Sequence, residues 1–239
     1  MKVLNDLLGY ENVKIYQDDD YFKFSVDGVL LANFVDLRLT DKKILDIGSG
    51  TGIVSLILSI KNNKLIDAID IQPELCELFR ETIHYNLMDD KINLICDDIK
   101  CYSKKKELLN KYDVVVSNPP YYFGKSNKTT QLSIARNQET LNIQELFESA
   151  KRLLKNHGGL FFVYDASQFE YIVLLCKQNN FSIKKVQFVY DNINACASIV
   201  LVYAIKNGKY GMKILEPFIL NDKNGKKTVQ YEKLFFERW

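Results

Sequence analysis

The sequence lacks any apolar run near the roughly 20 residues that a membrane helix needs. Its best runs, Val54–Ile60 and Ser198–Ile205, fall far short. No membrane partner is expected. The start, Met1-Lys2-Val3-Leu4-Asn5-Asp6, meets an acid at once and does not fit a signal peptide. Cysteine is sparse and unpaired: Cys76, Cys96, Cys101, Cys176 and Cys196 are odd in number and contain no Cys-x-x-Cys pair. The only histidines are His84 and His157. Neither a disulfide framework nor a metal site is expected, and a reducing cytoplasm is the expected location. Arginine is scarce too, at five of 32 basic residues (38, 80, 136, 152 and 238), so each one merits attention as a bidentate phosphate partner.

What is present is ordinary for a globular chain: 239 residues, 47% hydrophobic, 26% charged, formal charge +2. That length buries a core without a staple and fits one domain with small additions, and a monomer is expected. The expected divisions are an N-terminal hairpin and helix cap over 1–40, a core over 41–206 and a C-terminal extension over 207–239. The charge is uneven. Residues 1–150 carry 18 basic and 23 acidic side chains, and residues 151–239 carry 14 and 7. A basic C-terminal part suits a polyanion, although for charge alone a lysine-rich solvated surface is the preferred reading.

The middle of the chain alternates short apolar runs with helical patterns. Strands are expected at Ile44–Ile47, Leu65–Ile69, Ile92–Cys96, Tyr112–Val116 and Leu160–Tyr164. Helices are expected at Ile53–Ile60, Pro73–Asn86, Ser103–Asn110, Asn142–Lys155 and Ser167–Asn179, the fourth stopping near His157-Gly158-Gly159. Two further strands, Phe181–Tyr190 and Ala195–Ile205, have no helix between them, only the turn Asp191-Asn192-Ile193-Asn194. This is an α/β pattern: a seven-stranded, mostly parallel sheet with an antiparallel last strand. Val13–Tyr16 and Tyr21–Phe24 predict an N-terminal hairpin about Gln17-Asp18-Asp19-Asp20. Asn207-Gly208 and Asn224-Gly225 predict turns around Met212–Leu220.

Chemistry enters at Asp46-Ile47-Gly48-Ser49-Gly50-Thr51-Gly52, directly after the first core strand. Open α/β sheets bind ligands at the carboxyl ends of their strands, and glycines let backbone approach a ligand closely. No Gly-Lys-Ser/Thr follows, so this is no phosphate loop. Ile53 stands where a dinucleotide fingerprint has its third glycine. The form resembles motif I of class I methyltransferases that use S-adenosylmethionine, a Rossmann-like fold. The resemblance implies that Asp46, Gly48, Ser49, Gly50, Thr51 and Gly52 hold the cofactor's amino-acid end. Asp70, 18 residues beyond Gly52, ends the next strand, where a carboxylate can accept both ribose hydroxyls, with Ile71 beside it. By the same resemblance Asp97 and Asp98 face the adenine amino group. Taken singly, each acid does no more than end a strand in a turn.

The fourth strand runs into Ser117-Asn118-Pro119-Pro120-Tyr121. The segment resembles the Asn-Pro-Pro-Tyr motif of amino-group methyltransferases, and the order of the two motifs agrees. An exocyclic amine or an amide delocalises its lone pair and is a poor nucleophile. The Asn118 side-chain carbonyl and the Pro119 backbone carbonyl can accept its N–H bonds and turn the lone pair outward. Proline adds no competing donor and stiffens the acceptor. Tyr121 can stack on a planar base. Asn118, Pro119, Pro120 and Tyr121 are the expected catalytic residues, with Asn118 also beside the cofactor. Tyr122, Phe123, Lys125, Lys128 and Arg136 follow, aromatics interleaved with cations in a way that suits a flipped base and its phosphates.

Three further segments narrow the resemblance. Phe24-Ser25-Val26-Asp27-Gly28-Val29-Leu30-Leu31-Ala32, Ile134-Ala135-Arg136 and Lys213-Ile214-Leu215-Glu216-Pro217-Phe218 are similar to segments of the bacterial family that methylates N6 of adenine 37 in valine tRNA. Asn137 departs from the aromatic or histidine expected there. This resemblance implies that Asp27 covers the cofactor's methionine end and that a tRNA anticodon stem-loop is the substrate. Spacing alone supports an amine or amide methyltransferase. Protein-glutamine methylation of release factors and guanine-N2 methylation of ribosomal RNA are therefore alternatives. The first usually carries a helical N-terminal domain and the second often Asn-Pro-Pro-Phe with a duplicated domain.

Overall fold

The computed structural model describes residues 2–7, 10, 12–18, 26–120 and 141–236. Its strands are β1 (Lys2–Asp6), β2 (Lys14–Asp18), β3 (Ile44–Ile47), β4 (Ile66–Asp70), β5 (Ile92–Cys96), β6 (Tyr112–Ser117), β7 (Leu154–Asp165), β8 (Phe181–Tyr190), β9 (Ala197–Lys206), β10 (Lys213–Ile214) and β11 (Phe218–Ile219). Its helices are α1 (Val26–Phe34), α2 (Ile53–Asn62), α3 (Pro73–Tyr85), α4 (Ile99–Tyr102), α5 (Ile143–Leu153), α6 (Phe169–Gln178) and α7 (Val229–Phe236).

The main sheet has the order β10-β8-β9-β7-β6-β3-β4-β5, with β11 also pairing β8. Only β9 runs against its neighbours, β7 and β8. The expected mostly parallel α/β sheet with antiparallel β9 is observed, but β10 and β11 add to its edge beside β8 and make nine strands rather than seven. Strand alternation divides two cores. Val114, Val116, Phe161 and Val163 point to the layer of α1, α2, α3 and α7. Val115, Leu160, Phe162 and Tyr164 point to the layer of α4, α5 and α6. The helix ends follow local chemistry. A capping box starts α5: Asn142 Oδ1 accepts the Glu145 amide at 2.9 Å while Glu145 Oε2 accepts the Asn142 amide at 3.2 Å.

Three local expectations are corrected. Lys14–Asp18 pairs with Lys2–Asp6, so Gln17 and Asp18 are strand rather than turn, and Tyr21–Phe24 lies outside the described residues. The outer side of β2 is held by α3: the Tyr16 amide donates to Thr82 Oγ1 at 3.0 Å and Asn86 bonds both backbone groups of Lys14. Gly158-Gly159 does not stop α5, because Leu154 is already in β7 and the glycines sit where β7 bulges against β6. The helix expected at Ser103–Asn110 resolves into α4 before it and a 3₁₀ turn at Lys106–Leu108. The reason is the cap: Asp98 Oδ1 accepts the Lys100 amide at 2.8 Å and starts the turn early. The turns expected at Asn207-Gly208 and Asn224-Gly225 are observed, and between them lie β10 and β11, each parallel to β8.

Candidate functional site

β3, β4 and β6 are neighbours, and their carboxyl ends bring the glycine loop, Asp70 and Asn118 to one edge. The loop is folded by its own backbone. The Gly48 and Ser49 amides donate to Ile69 O at 2.9 and 3.1 Å, and the Gly52 amide to Ser49 O at 2.8 Å. Gly52 takes φ +91° as α2 begins. A Cβ there would lie 1.9 Å from Cε2 of Phe79, a fully buried ring of α3.

Two acids flank this loop. Asp70 Oδ2 accepts the Gly50 amide at 2.7 Å and its Oδ1 accepts the Gln72 amide at 2.9 Å. Burial raises the Asp70 pKa above the usual carboxylate value, against the pull of those amides. Asp46 is 1% exposed, and its Oδ2 accepts Ser55 Oγ at 2.7 Å. Burial, opposed by the Ser55 hydroxyl and reinforced by the charge of Asp70, pushes Asp46 up to about 7.

Stability therefore depends on the ionisation of Asp46. A carboxyl whose folded pKa stands above its unfolded value, here 3.8, stabilises the fold below pH 3.8. It loses that contribution as pH rises through about 7. Asp46→Asn keeps an acceptor for Ser55 and removes the titration. The variant is therefore expected to gain stability relative to wild type as pH is raised from about 5 towards 7, by about 1.4 kcal/mol for each pH unit, and to level off above that. Melting curves of both proteins across that range check this. A stability difference that does not change with pH means that Asp46 does not titrate there.

The remaining expected residues are placed as follows. Ser49 and Thr51 are buried, and Ser49 Oγ has no hydrogen-bond partner among the described atoms. Ile71 is exposed at the end of β4. The Asp97 amide donates to Asp70 O at 3.1 Å, which brings β5 to the same edge. Asp97 Oδ2 is 2.9 Å from Lys105 Nζ, and its Oδ1 accepts the Asp98 amide. Asp98 caps α4, so its carboxylate has a structural duty that its position in the sequence did not disclose. Asp27 lies in the first turn of α1, next to Gly28, which packs beside Asn118. Pro119 is buried, and Asn118 and Pro120 are half-buried. Tyr121, Tyr122, Phe123, Lys125, Lys128 and Arg136 lie outside the described residues.

Three supporting residues were not foreseen. Ser55 orients Asp46. Ser117 Oγ donates to Ile47 O at 2.8 Å and ties the end of β6 to the strand that launches the loop. Lys105 engages Asp97. The one sequence signal was Ser117 itself, a hydroxyl closing the apolar run Val114-Val115-Val116.

The arrangement fits an adenosyl cofactor bearing an amino-acid end. It offers a backbone cradle that side chains would fill, an unsatisfied buried hydroxyl and an acid at the second strand end. Among the described residues no cluster of ligands could hold a metal ion, and no helix is long and apolar enough to cross a membrane.

Comparison with known proteins agrees with this geometry. The profile of the methyltransferase small domain matches residues 25–185. A tRNA1(Val) (adenine(37)-N6)-methyltransferase of Phocaeicola vulgatus is 31% identical over 188 residues, 78% of each chain. Its counterpart in Parabacteroides distasonis is 27% identical over 74% of each chain. Among solved structures, a predicted O-methyltransferase of Agrobacterium tumefaciens superposes with a TM-score of 0.69, covering 87% of this chain and 95% of that one at 17% identity. At that identity the likeness concerns the fold.

Proposed function

The chain belongs to the methyltransferase small domain family, and from that premise we propose that it methylates the exocyclic N6 of adenine in tRNA, at adenine 37 beside the anticodon of valine tRNA. The observation that carries this reading is the juxtaposition at one sheet edge. The ledge Asn118-Pro119-Pro120 leaves β6 where the glycine loop leaves β3, and Ser117 is paired directly with Ile47. The substrate follows the relatives named for tRNA. A tRNA substrate puts the enzyme in the cytoplasm.

S-adenosylmethionine supplies an electrophilic methyl group when bound. Residues of this chain that would hold it are the Gly48–Gly52 backbone, Ser49, Asp46, Asp70, Ile71 and Asp97, with Asp27 over the methionine end. Asp70 spends one oxygen on each of two backbone amides and keeps lone pairs for ribose hydroxyls. Asn118 Oδ1 and the Pro119 carbonyl accept the two N–H bonds of N6. That draws the amine out of conjugation and aims its lone pair at the methyl. The methylated nitrogen is then an ammonium, acidic enough to release its extra proton to water, so no strong base is required. Pro119 and Pro120 hold the acceptors in place without offering a donor.

The direct test incubates the purified protein with labelled S-adenosylmethionine and total tRNA from cells lacking the protein. The products are digested and the methylated nucleosides identified by mass spectrometry. N6-methyladenosine, mapped to position 37 of valine tRNA, is the expected product. N2-methylguanosine, or tRNA left unmethylated by protein that binds S-adenosylmethionine, would overturn the substrate assignment.

A further inference from the structure

Gly28 is a buried glycine, the third residue of α1. Glycine disfavours a helix relative to alanine, so a buried one here calls for a reason. The reason is a three-way contact. A Cβ on residue 28 would lie 2.7 Å from Cγ2 of Ile53, the first residue of α2, and 3.8 Å from Nδ2 of Asn118. The Ile53 methyl is attached directly to Cβ, so it cannot swing clear as the tip of a long side chain could. Behind Ile53 the chain is pinned as well, because Gly52 packs on the Phe79 ring. The glycine loop is thus clamped between α3 on one side and α1 on the other. Asn118 sits at the margin of the second contact.

We propose that Gly28 is a positioning residue for methyl transfer: its missing side chain seats α1 against Ile53 and sets the separation between the Asn118 amide and the glycine loop. This inference rests on the methyltransferase reading above. Ile53 is held from behind by Gly52 on the Phe79 ring, so a methyl group at position 28 displaces α1 and with it the packing beside Asn118. The acceptor and the bound cofactor then change separation, and the rate of transfer is sensitive to such misplacement. The loop amides that would hold the cofactor stay in place.

The test compares Gly28→Ala with wild type. The expected result is a kcat lowered about 10- to 100-fold, with the KM values for cofactor and tRNA each changed less than about threefold. Gly28→Ala combined with Ile53→Leu removes the branched methyl at nearly constant volume and is expected to recover most of kcat. Gly28→Ala with Ile53→Val keeps that methyl and is expected to recover little. An unchanged kcat, a loss carried by cofactor affinity, or equal recovery from Val and Leu would each overturn the proposal. Crystal structures of wild type and Gly28→Ala give a readout that needs no substrate. Movement of the Asn118 amide relative to Gly50 is expected, and an unmoved amide would overturn the positioning role whatever the protein methylates. Movement of Asn118 in a protein whose wild type leaves tRNA unmodified would support the positioning role and reject the substrate.

Discussion

Asn118→Ala is expected to lower kcat for methyl transfer about 100- to 1000-fold while cofactor binding changes little. Asn118 is half-buried at the end of β6, and the contact beside Gly28 lies on its amide nitrogen. Its role is to accept an N–H of the target amine as charge develops on the nitrogen. A hydrogen bond to a charged group contributes about 1.5–3 kcal/mol. Misalignment of the amine adds to that loss. Single-turnover transfer, measured beside calorimetric binding of S-adenosylmethionine, separates the two effects. Asn118→Asp, which keeps an acceptor of similar shape, is expected to retain more activity than the alanine variant. If alanine and aspartate are equally inactive, acceptance of the N–H is not the role of this side chain. If alanine retains wild-type rates, the ledge is a turn and nothing more.

Gly52→Ala is expected to disturb both fold and cofactor binding. Two costs coincide at this residue. Its φ of +91° lies in the left-handed region, which costs an L-residue roughly 1–2 kcal/mol. A methyl group would also overlap the Phe79 ring, which is fully buried and has no free direction to move. Overpacking of that kind typically costs about 1–3 kcal/mol. The combined cost of about 2–5 kcal/mol corresponds to a fall in Tm of about 10 °C for a chain of this size. Affinity for S-adenosylmethionine is expected to fall at least about tenfold, since the loop amides it would meet are displaced with Cα, and each 1.4 kcal/mol is a factor of ten. Gly50 supplies a control within the same loop. Its φ is +54°, but a Cβ there meets nothing within 4 Å, so Gly50→Ala carries only the backbone cost. Thermal melts that place the two variants at the same Tm would refute the packing argument. Recovery of Gly52→Ala by Phe79→Leu would isolate the ring as its cause.

The motifs were legible because backbone chemistry leaves short, ordered traces. The glycines at 48, 50 and 52 occupy left-handed φ values that other residues avoid, and all three are so placed here. Asp70 at a strand end and two prolines after a buried strand are local statements of the same kind. The paired last strands could be read from the absence of a helix between them. Errors arose where a local signal met a stronger tertiary contact. Gly158-Gly159 resembles a helix stop, yet β7 claims those residues for its bulge against β6. Gln17-Asp18 resembles a turn, yet pairing with Lys2 and Val3 holds both residues in a strand.

By itself the sequence determined the order of the elements, the edge of the sheet where the chemistry gathers, and the pair of motifs that make an amine the natural target. Those properties follow from periodicity, chirality and the donor and acceptor inventory of single residues. Only the tertiary structure decided which side chains hold the motifs in place. Ser55 on Asp46, Ser117 on Ile47, Phe79 under Gly52 and Gly28 against Ile53 join residues separated by at least one turn or strand, and most lie far apart in the chain. Such contacts depend on how helices pack across a twisted sheet, where a tenth of a nanometre separates a seat from a clash. No pattern along the chain encodes that distance.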